Sequence, residues 1–212
     1  MIYLIDYGMG NLFSVEKAFR AVGAEITITS KPEDIKNASA IVLPGVGNFG
    51  KGISNIRNYK LEEPIKTSIQ KGKLFFGICL GMQLLMDESD EAPGQKGLSI
   101  FNGKVVKFKT TSLKVPQIGW NCVNFKKDSP YFHGIKNPSY FYFVHSFFVK
   151  PQDERIVAGV TEYGESFPSV IYYENIFATQ FHPEKSQQAG LQILKNFVEL
   201  AKKIKTKNDT TN

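Results

Sequence analysis

Apolar and polar positions alternate in two distinct ways along the chain. Ile2-Tyr3-Leu4-Ile5 is an apolar run of strand length, and Leu12, Val15, Phe19 and Val22 then recur at helical spacing until Gly23 closes the helix. Glu25 to Thr29 (EITIT) alternates with period two, whereas Ala40 to Leu43 (AIVL) is continuously apolar, the pattern of a strand covered on both faces. Ile53, Ile56, Ile65 and Ile69 mark helical segments around Pro64. Lys73 to Ile78 (KLFFGI) is a further buried strand, and Leu80 to Met86 (LGMQLLM) opens a helix. Strand–helix alternation of this kind predicts a mostly parallel sheet with helices on both faces.

Beyond this point the pattern turns β-rich. KVVKF, NCVNF, SYFYFVHSFFV, RIVAGV, SVIYY and IFATQF are strand candidates separated by Gly, Pro, Asn and Asp turns. Helix returns only at the end, where Leu191, Leu194, Phe197, Val198, Ala201 and Ile204 form one apolar stripe. The predicted fold class is α/β: a three-layer sandwich with a mostly parallel central sheet, plus an antiparallel β-rich second half. No linker, repeat or low-complexity run divides the chain. One domain is expected over residues 1–204, followed by a lysine-rich tail over 205–212; the last dozen residues, AKKIKTKNDTTN, read as frayed and solvated.

Composition narrows the function classes. A length of 212 residues suits one domain with a sizeable core, and 42% hydrophobic with 22% charged residues argues against bulk disorder. No stretch reaches the ~18–20 apolar residues of a membrane span. The opening MIYLIDYGMGN has neither a basic leader nor a long apolar core, so no signal peptide is expected. Cys79 and Cys122 make no disulfide framework, which points to a reducing, cytoplasmic compartment. The formal charge of +6 comes overwhelmingly from lysines; the arginines are Arg20, Arg57 and Arg155. Arginine is the usual reader of bases and phosphates, so nucleic-acid binding is not expected.

Gly77-Ile78-Cys79-Leu80-Gly81 joins a predicted strand to a predicted helix. That is the layout of a nucleophile elbow, in which a strained turn lifts the central side chain above the carboxyl end of the sheet. A helix N-terminus there favours a thiolate, and the amide of Leu80 is placed to stabilise an oxyanion. The same five residues also suit a buried structural cysteine between packing glycines. A cysteine nucleophile needs a base. His133 lies in a turn-like loop and reads as a surface residue. His145 lies in an aromatic strand and reads as a core histidine. His182 lies in Gln180-Phe181-His182-Pro183-Glu184, where an extended backbone puts His182 and Glu184 on one side and lets the carboxylate orient the imidazole. An ordinary loop with a helix-starting Glu fits that stretch as well. The loop Pro44-Gly45-Val46-Gly47, after a buried strand, can offer backbone amides to an anion or be a simple turn.

In order along the chain, LPGVGNFG, GICLGMQLLMDESDEAPGQKGL and QFHPEKS resemble the class I (triad) glutamine amidotransferases. Together with IDYGMGNLFSVEKA, NGKVVKF, KVPQIGWN, YFVHSF and TEYGESFPSVI they are similar, nearly end to end, to the glutaminase subunits of imidazole glycerol phosphate synthases. The resemblance implies a glutamine-hydrolysing enzyme whose nucleophile is Cys79, with His182 protonating the departing ammonia and Glu184 as third triad member. It implies an oxyanion hole from Gly45, Val46, Gly47 and the Leu80 amide, and glutamine recognition by Gln83, Glu91 and Ser146. It further implies ammonia transfer to a (β/α)8-barrel synthase partner in a heterodimer of the histidine pathway, docked through Gln117, Trp120, Asn121, Tyr142 and Lys185. Neither metal nor other cofactor is expected. Two segments depart from the family pattern: Gln117-Ile118, usually His-Met, and Phe148, often Arg or another polar residue. Both leave the triad untouched and bear on the partner. A related glutaminase feeding a synthase of nitrogen-containing surface sugars is therefore an alternative, as is a non-catalytic scaffold; a cysteine peptidase or hydrolase on a similar fold is weaker.

Overall fold

The computed structural model describes residues 1–209, with side chains through Lys203. The first half follows the hydrophobic pattern closely. Strand β1 (Ile2–Ile5), helix α1 (Leu12–Ala21), β2 (Ile26–Thr29), α2 (Pro32–Asn37), β3 (Ala40–Leu43), α3 (Phe49–Asn58), α4 (Glu62–Gln70) and β4 (Leu74–Ile78) come in turn. Asn11 starts α1 by accepting a hydrogen bond from the Ser14 amide, and Asn48 starts α3 by accepting from Lys51. Pro64 lies in the first turn of α4, where a missing amide hydrogen costs little.

The helix expected over Leu80 to Met86 is one turn only, α5 (Leu80–Gln83), and Met86 already begins β5 (Met86–Ser89). Leu84, Leu85 and Met86 are all fully buried, so burial replaces helical periodicity here. The remaining elements are β6 (Phe101–Lys107), β7 (Gln117–Phe125), β8 (Ser139–His145), β9 (Phe147–Pro151), β10 (Val157–Glu162), β11 (Ser166–Tyr173), β12 (Ile176–Thr179) and α6 (Gln187–Asp209). The continuous run SYFYFVHSFFV is thus two strands. Helix α6 carries across the 204/205 position where a separate tail was expected to begin; residues 210–212, and the side chain of Ile204, lie outside the described residues.

Nine strands form the central sheet in the order β2-β1-β3-β4-β12-β11-β10-β7-β8. The first five are parallel and the rest antiparallel, and β5, β6 and β9 make a separate small sheet. Alternation along β4 sends Phe75 to one face, with Ile53, Ile56, Ile65 and Ile69 of α3 and α4, and Phe76 to the other, with Phe19 of α1 and Phe197 of α6. Phe76 sits at ring-centroid distances of 5.0 Å from Phe177, 5.3 Å from Phe197 and 6.4 Å from Phe19, tying sheet to helices.

The placement that matters for chemistry is β12. Though it belongs to the second half, it lies parallel beside β4, with Thr179 in register with Ile78. The carboxyl ends of two adjacent parallel strands therefore meet, one leading into Cys79 and the other into His182.

Candidate active site

Cys79 follows the last residue of β4, and its amide donates to the Thr179 carbonyl at 2.7 Å. Its φ of 53° and ψ of −106° form a strained turn for a non-glycine residue. The flanking glycines allow close backbone approach. A Cβ on Gly77 would meet the Gly81 carbonyl oxygen at 2.8 Å, and one on Gly81 would collide with the Leu43 carbonyl. Their smallness is thus used up by the turn itself. One helical turn beyond Cys79 supplies little macrodipole, so the nearby charge that matters is an imidazole rather than a helix end.

That imidazole is His182. Its Nδ1 lies 2.8 Å from Glu184 Oε1, with both side chains almost wholly buried. Pro183–Lys185 is a 3-10 turn, so this contact arises from the turn and not from an extended strand. The Ser186 hydroxyl fixes the segment by donating to the His182 carbonyl at 2.6 Å and accepting from the Tyr142 amide at 2.9 Å. Burial opposes charge on His182. The neighbouring Cys79 charge and contact, then Glu184, outweigh it and raise the imidazole to about 10. His182 Nε2 is buried and has no hydrogen-bond partner of good geometry.

A cavity of about 330 Å³ opens over Cys79, lined by Gly47, Gln83, Glu91, Pro116, Val144, Ser146 and others. All three residues expected to recognise substrate therefore face it. Gln83 Nε2 already donates to the Phe147 carbonyl at 2.9 Å and to Gln180 Oε1 at 3.1 Å. Glu91 Oε2 accepts from the Phe49 amide at 2.7 Å, bracing the start of α3. Of the amides expected in the oxyanion hole, that of Leu80 is already engaged. The Leu80 amide donates to the Gly45 carbonyl at 3.3 Å, so this loop turns an acceptor, not a donor, toward the elbow. Beneath it the buried Tyr7 hydroxyl donates to the Pro44 carbonyl at 2.8 Å; burial, then the Cys79 charge, push that phenol far above its ordinary range.

The five positions expected at a docking surface separate. Strands β7 and β8 pair Trp120 with Tyr142, Ile118 with Val144 and Cys122 with Tyr140 on one outward face. Ile118, Trp120 and Tyr140 are exposed there, and Lys185 Nζ lies 5.8 Å from the Tyr142 ring centroid. Gln117 has the opposite parity and is buried. It cannot be a surface contact, and instead faces His145 Nε2 at 3.0 Å. Asn121 shares that parity and donates to the Glu162 carbonyl, closing the strand rather than offering itself outward. His145 Nδ1 donates to the Phe147 carbonyl at 2.7 Å; burial pushes this imidazole down to about 4 despite that bond, and the His182 charge adds to the effect. With Nδ1 carrying the proton, Nε2 is an acceptor and calls for the amide NH2 of Gln117 turned toward it. Phe148 is core, packed at 4.9 Å on Phe108. His133 is exposed.

Sequence reasoning missed Tyr7 and Gln180. The signal for Gln180 was present: it stands two residues before His182, on the side of the segment that faces Cys79.

A strained cysteine, a carboxylate-held histidine and a Pro-Gly-Val-Gly loop, on this sheet order, define the class. The family model for class I glutamine amidotransferases matches residues 3–201, and the chain belongs to that family. Within it, the chain is 51% identical over 202 residues to the imidazole glycerol phosphate synthase subunit HisH of Caldanaerobacter subterraneus subsp. tengcongensis, covering 95% of this chain and 99% of that one. It is 52% identical over 200 residues to the subunit of the same name from Methanocaldococcus jannaschii, covering 94% and 100%. A solved glutamine amidotransferase with 19% identity superposes with a TM-score of 0.74 over 95% of this chain and 100% of that one, a likeness of fold.

Proposed function

We propose that the chain is the glutaminase subunit of an imidazole glycerol phosphate synthase, hydrolysing glutamine to glutamate and ammonia for histidine biosynthesis. The observation that carries the chemistry is the meeting of Cys79 with the His182–Glu184 pair at the ends of β4 and β12, under a cavity that Gln83 and Glu91 also line. Near half identity over nearly the whole chain supports the particular synthase.

The steps follow from the geometry. Cys79 Sγ attacks the side-chain amide carbon of glutamine, and the carbonyl π electrons move to oxygen. As the tetrahedral adduct collapses, the C–N bond breaks and the nitrogen takes a proton from His182 Nε2, leaving as ammonia. In the resting site, an imidazole raised to about 10 beside the charged Cys79 already holds that proton at neutral pH before attack. Water, losing a proton to Nε2, then attacks the thioester; the C–S bond breaks and glutamate is released. Glu184 holds the ring and offsets its charge throughout.

The Gly45 carbonyl must first turn away from the Leu80 amide before that amide can meet an oxyanion. We read the isolated chain as a resting form that a (β/α)8-barrel synthase partner opens in the heterodimer. The outward face of Ile118, Trp120, Tyr140 and Tyr142 supports this, because Val144 on the same face also lines the cavity. The departures at Gln117 and Phe148 both fall inside the protein, so neither favours a sugar-modifying partner. Two free cysteines, Cys79 and Cys122, suit a reducing cytoplasm, and no helix among the described residues is long and apolar enough to cross a membrane. The test is the glutamine hydrolysis rate with and without the barrel subunit. A rise of at least about tenfold on complex formation is expected; an isolated chain already at full rate would overturn the resting-form reading.

A further inference from the structure

We propose that Gln180 is a further catalytic residue, whose side-chain amide N–H donates to the Cys79 sulfur and stabilises it as the charged nucleophile. This rests on the glutaminase reading and deepens it. Gln180 is fully buried, and its amide donates to the Ser169 carbonyl at 2.9 Å just past the end of β12, so the backbone is fixed. Its Nε2 lies 3.6 Å from Cys79 Sγ, within the longer reach of a sulfur acceptor.

The orientation of the amide is dictated by its neighbours. The Phe147 carbonyl can only accept, so the end of Gln83 that faces it at 2.9 Å is nitrogen. The second hydrogen on that nitrogen points at Gln180, 3.1 Å away, which must therefore present its oxygen. Gln180 then has its NH2 facing sulfur. A flip would set N–H against N–H and a carbonyl against the sulfur, leaving buried polar groups unpaired. Besides the His182 imidazole described above, the Val144 carbonyl lies 4.0 Å from Sγ, an acceptor that suits the thiol and not the thiolate. Gln180 therefore adds, beside His182, a hydrogen bond that favours the charged form, and such charge-assisted bonds are stronger than neutral ones. Gln83, expected to bind substrate, acquires a second task as the clamp on Gln180.

The experiment uses the full chain in a Cys122→Ser background, so that Cys79 is the thiol that reacts. Gln180→Leu removes the donor at similar volume, and Gln180→Met does so with an unbranched chain should the first variant not fold. Two quantities are read: the pH profile of alkylation by iodoacetamide, and kcat and KM for glutamine hydrolysis in the complex with the barrel subunit. The alkylation profile is expected to move to higher pH, with kcat down about tenfold, KM within about twofold, and ammonium-dependent synthesis unchanged. An unmoved profile, or a raised KM at unchanged kcat, would overturn the proposal. If the parent complex hydrolysed no glutamine, the glutaminase reading would fail by itself, while the alkylation profile would still decide for or against Gln180.

Discussion

His145 makes stability depend on mild acid in a way that can be worked out from its surroundings. In the unfolded chain a histidine takes up a proton near pH 6.5, whereas burial holds the folded imidazole down to about 4. The depressed value means that the neutral ring's contribution is complete above pH 6.5 and is lost as pH falls toward 4, because only the unfolded state binds the proton in that window. Each pH unit there costs up to ~1.4 kcal/mol, so about 2 kcal/mol is lost between pH 6.5 and 5, and about 3 kcal/mol by pH 4. His145→Asn retains a donor for the Phe147 carbonyl but does not titrate. Urea unfolding of both proteins at pH 7, 6 and 5 gives two stability curves. The offset between them at pH 7 reports packing, and the difference in their slopes reports the proton. The wild type should lose about 2 kcal/mol more than the variant by pH 5. Parallel curves would show that the folded ring protonates normally, and the reasoning from its buried bonds to Phe147 and Gln117 would fail.

Gly81→Ala places a Cβ on the Leu43 carbonyl, and neither backbone can withdraw without disturbing the sheet or the elbow. A loss of ~1–3 kcal/mol in urea unfolding, with glutamine hydrolysis abolished, is expected; a stable, active variant would contradict the close approach. Trp120→Ala alters a side chain that is 46% exposed, so the isolated chain should keep its unfolding midpoint while calorimetric titration with the barrel subunit shows binding weakened by ~2 kcal/mol. Unchanged affinity would move the docking surface elsewhere.

Legibility in the sequence followed the range of the forces involved. IYLI, AIVL and KLFFGI reappear as β1, β3 and β4 because each is a short apolar run whose neighbours are helices of clear period. Cys79 and the His182–Glu184 pair were candidates on local grounds, with the family resemblance deciding for them, although the contact of the pair comes from a 3-10 turn rather than the extended backbone expected. What depended on distant partners was not legible. MDES carries no strand signal and is a strand only through pairing with β6. The aromatic run from Tyr140 to Val149 looked like one strand, yet Phe141, Phe143 and His145 point inward at odd positions while Phe148 and Val149 are both buried. That break in parity marks the passage from the large sheet to the small one. The same parity rule, applied to Gln117, would have sent it to the interior rather than to a partner. The engagement of the Leu80 amide depends on the Gly45 carbonyl finding it, a backbone contact that no side-chain pattern records.

The central claim is that Cys79 releases ammonia from glutamine for use by a separate synthase site. Synthesis by the complex carrying Cys79→Ala, measured once with glutamine and once with an ammonium salt, tests it most directly. Loss of the glutamine-dependent rate with the ammonium-dependent rate intact is predicted, because only the nucleophile is missing. Glutamine-dependent synthesis that persisted in this variant would contradict the account.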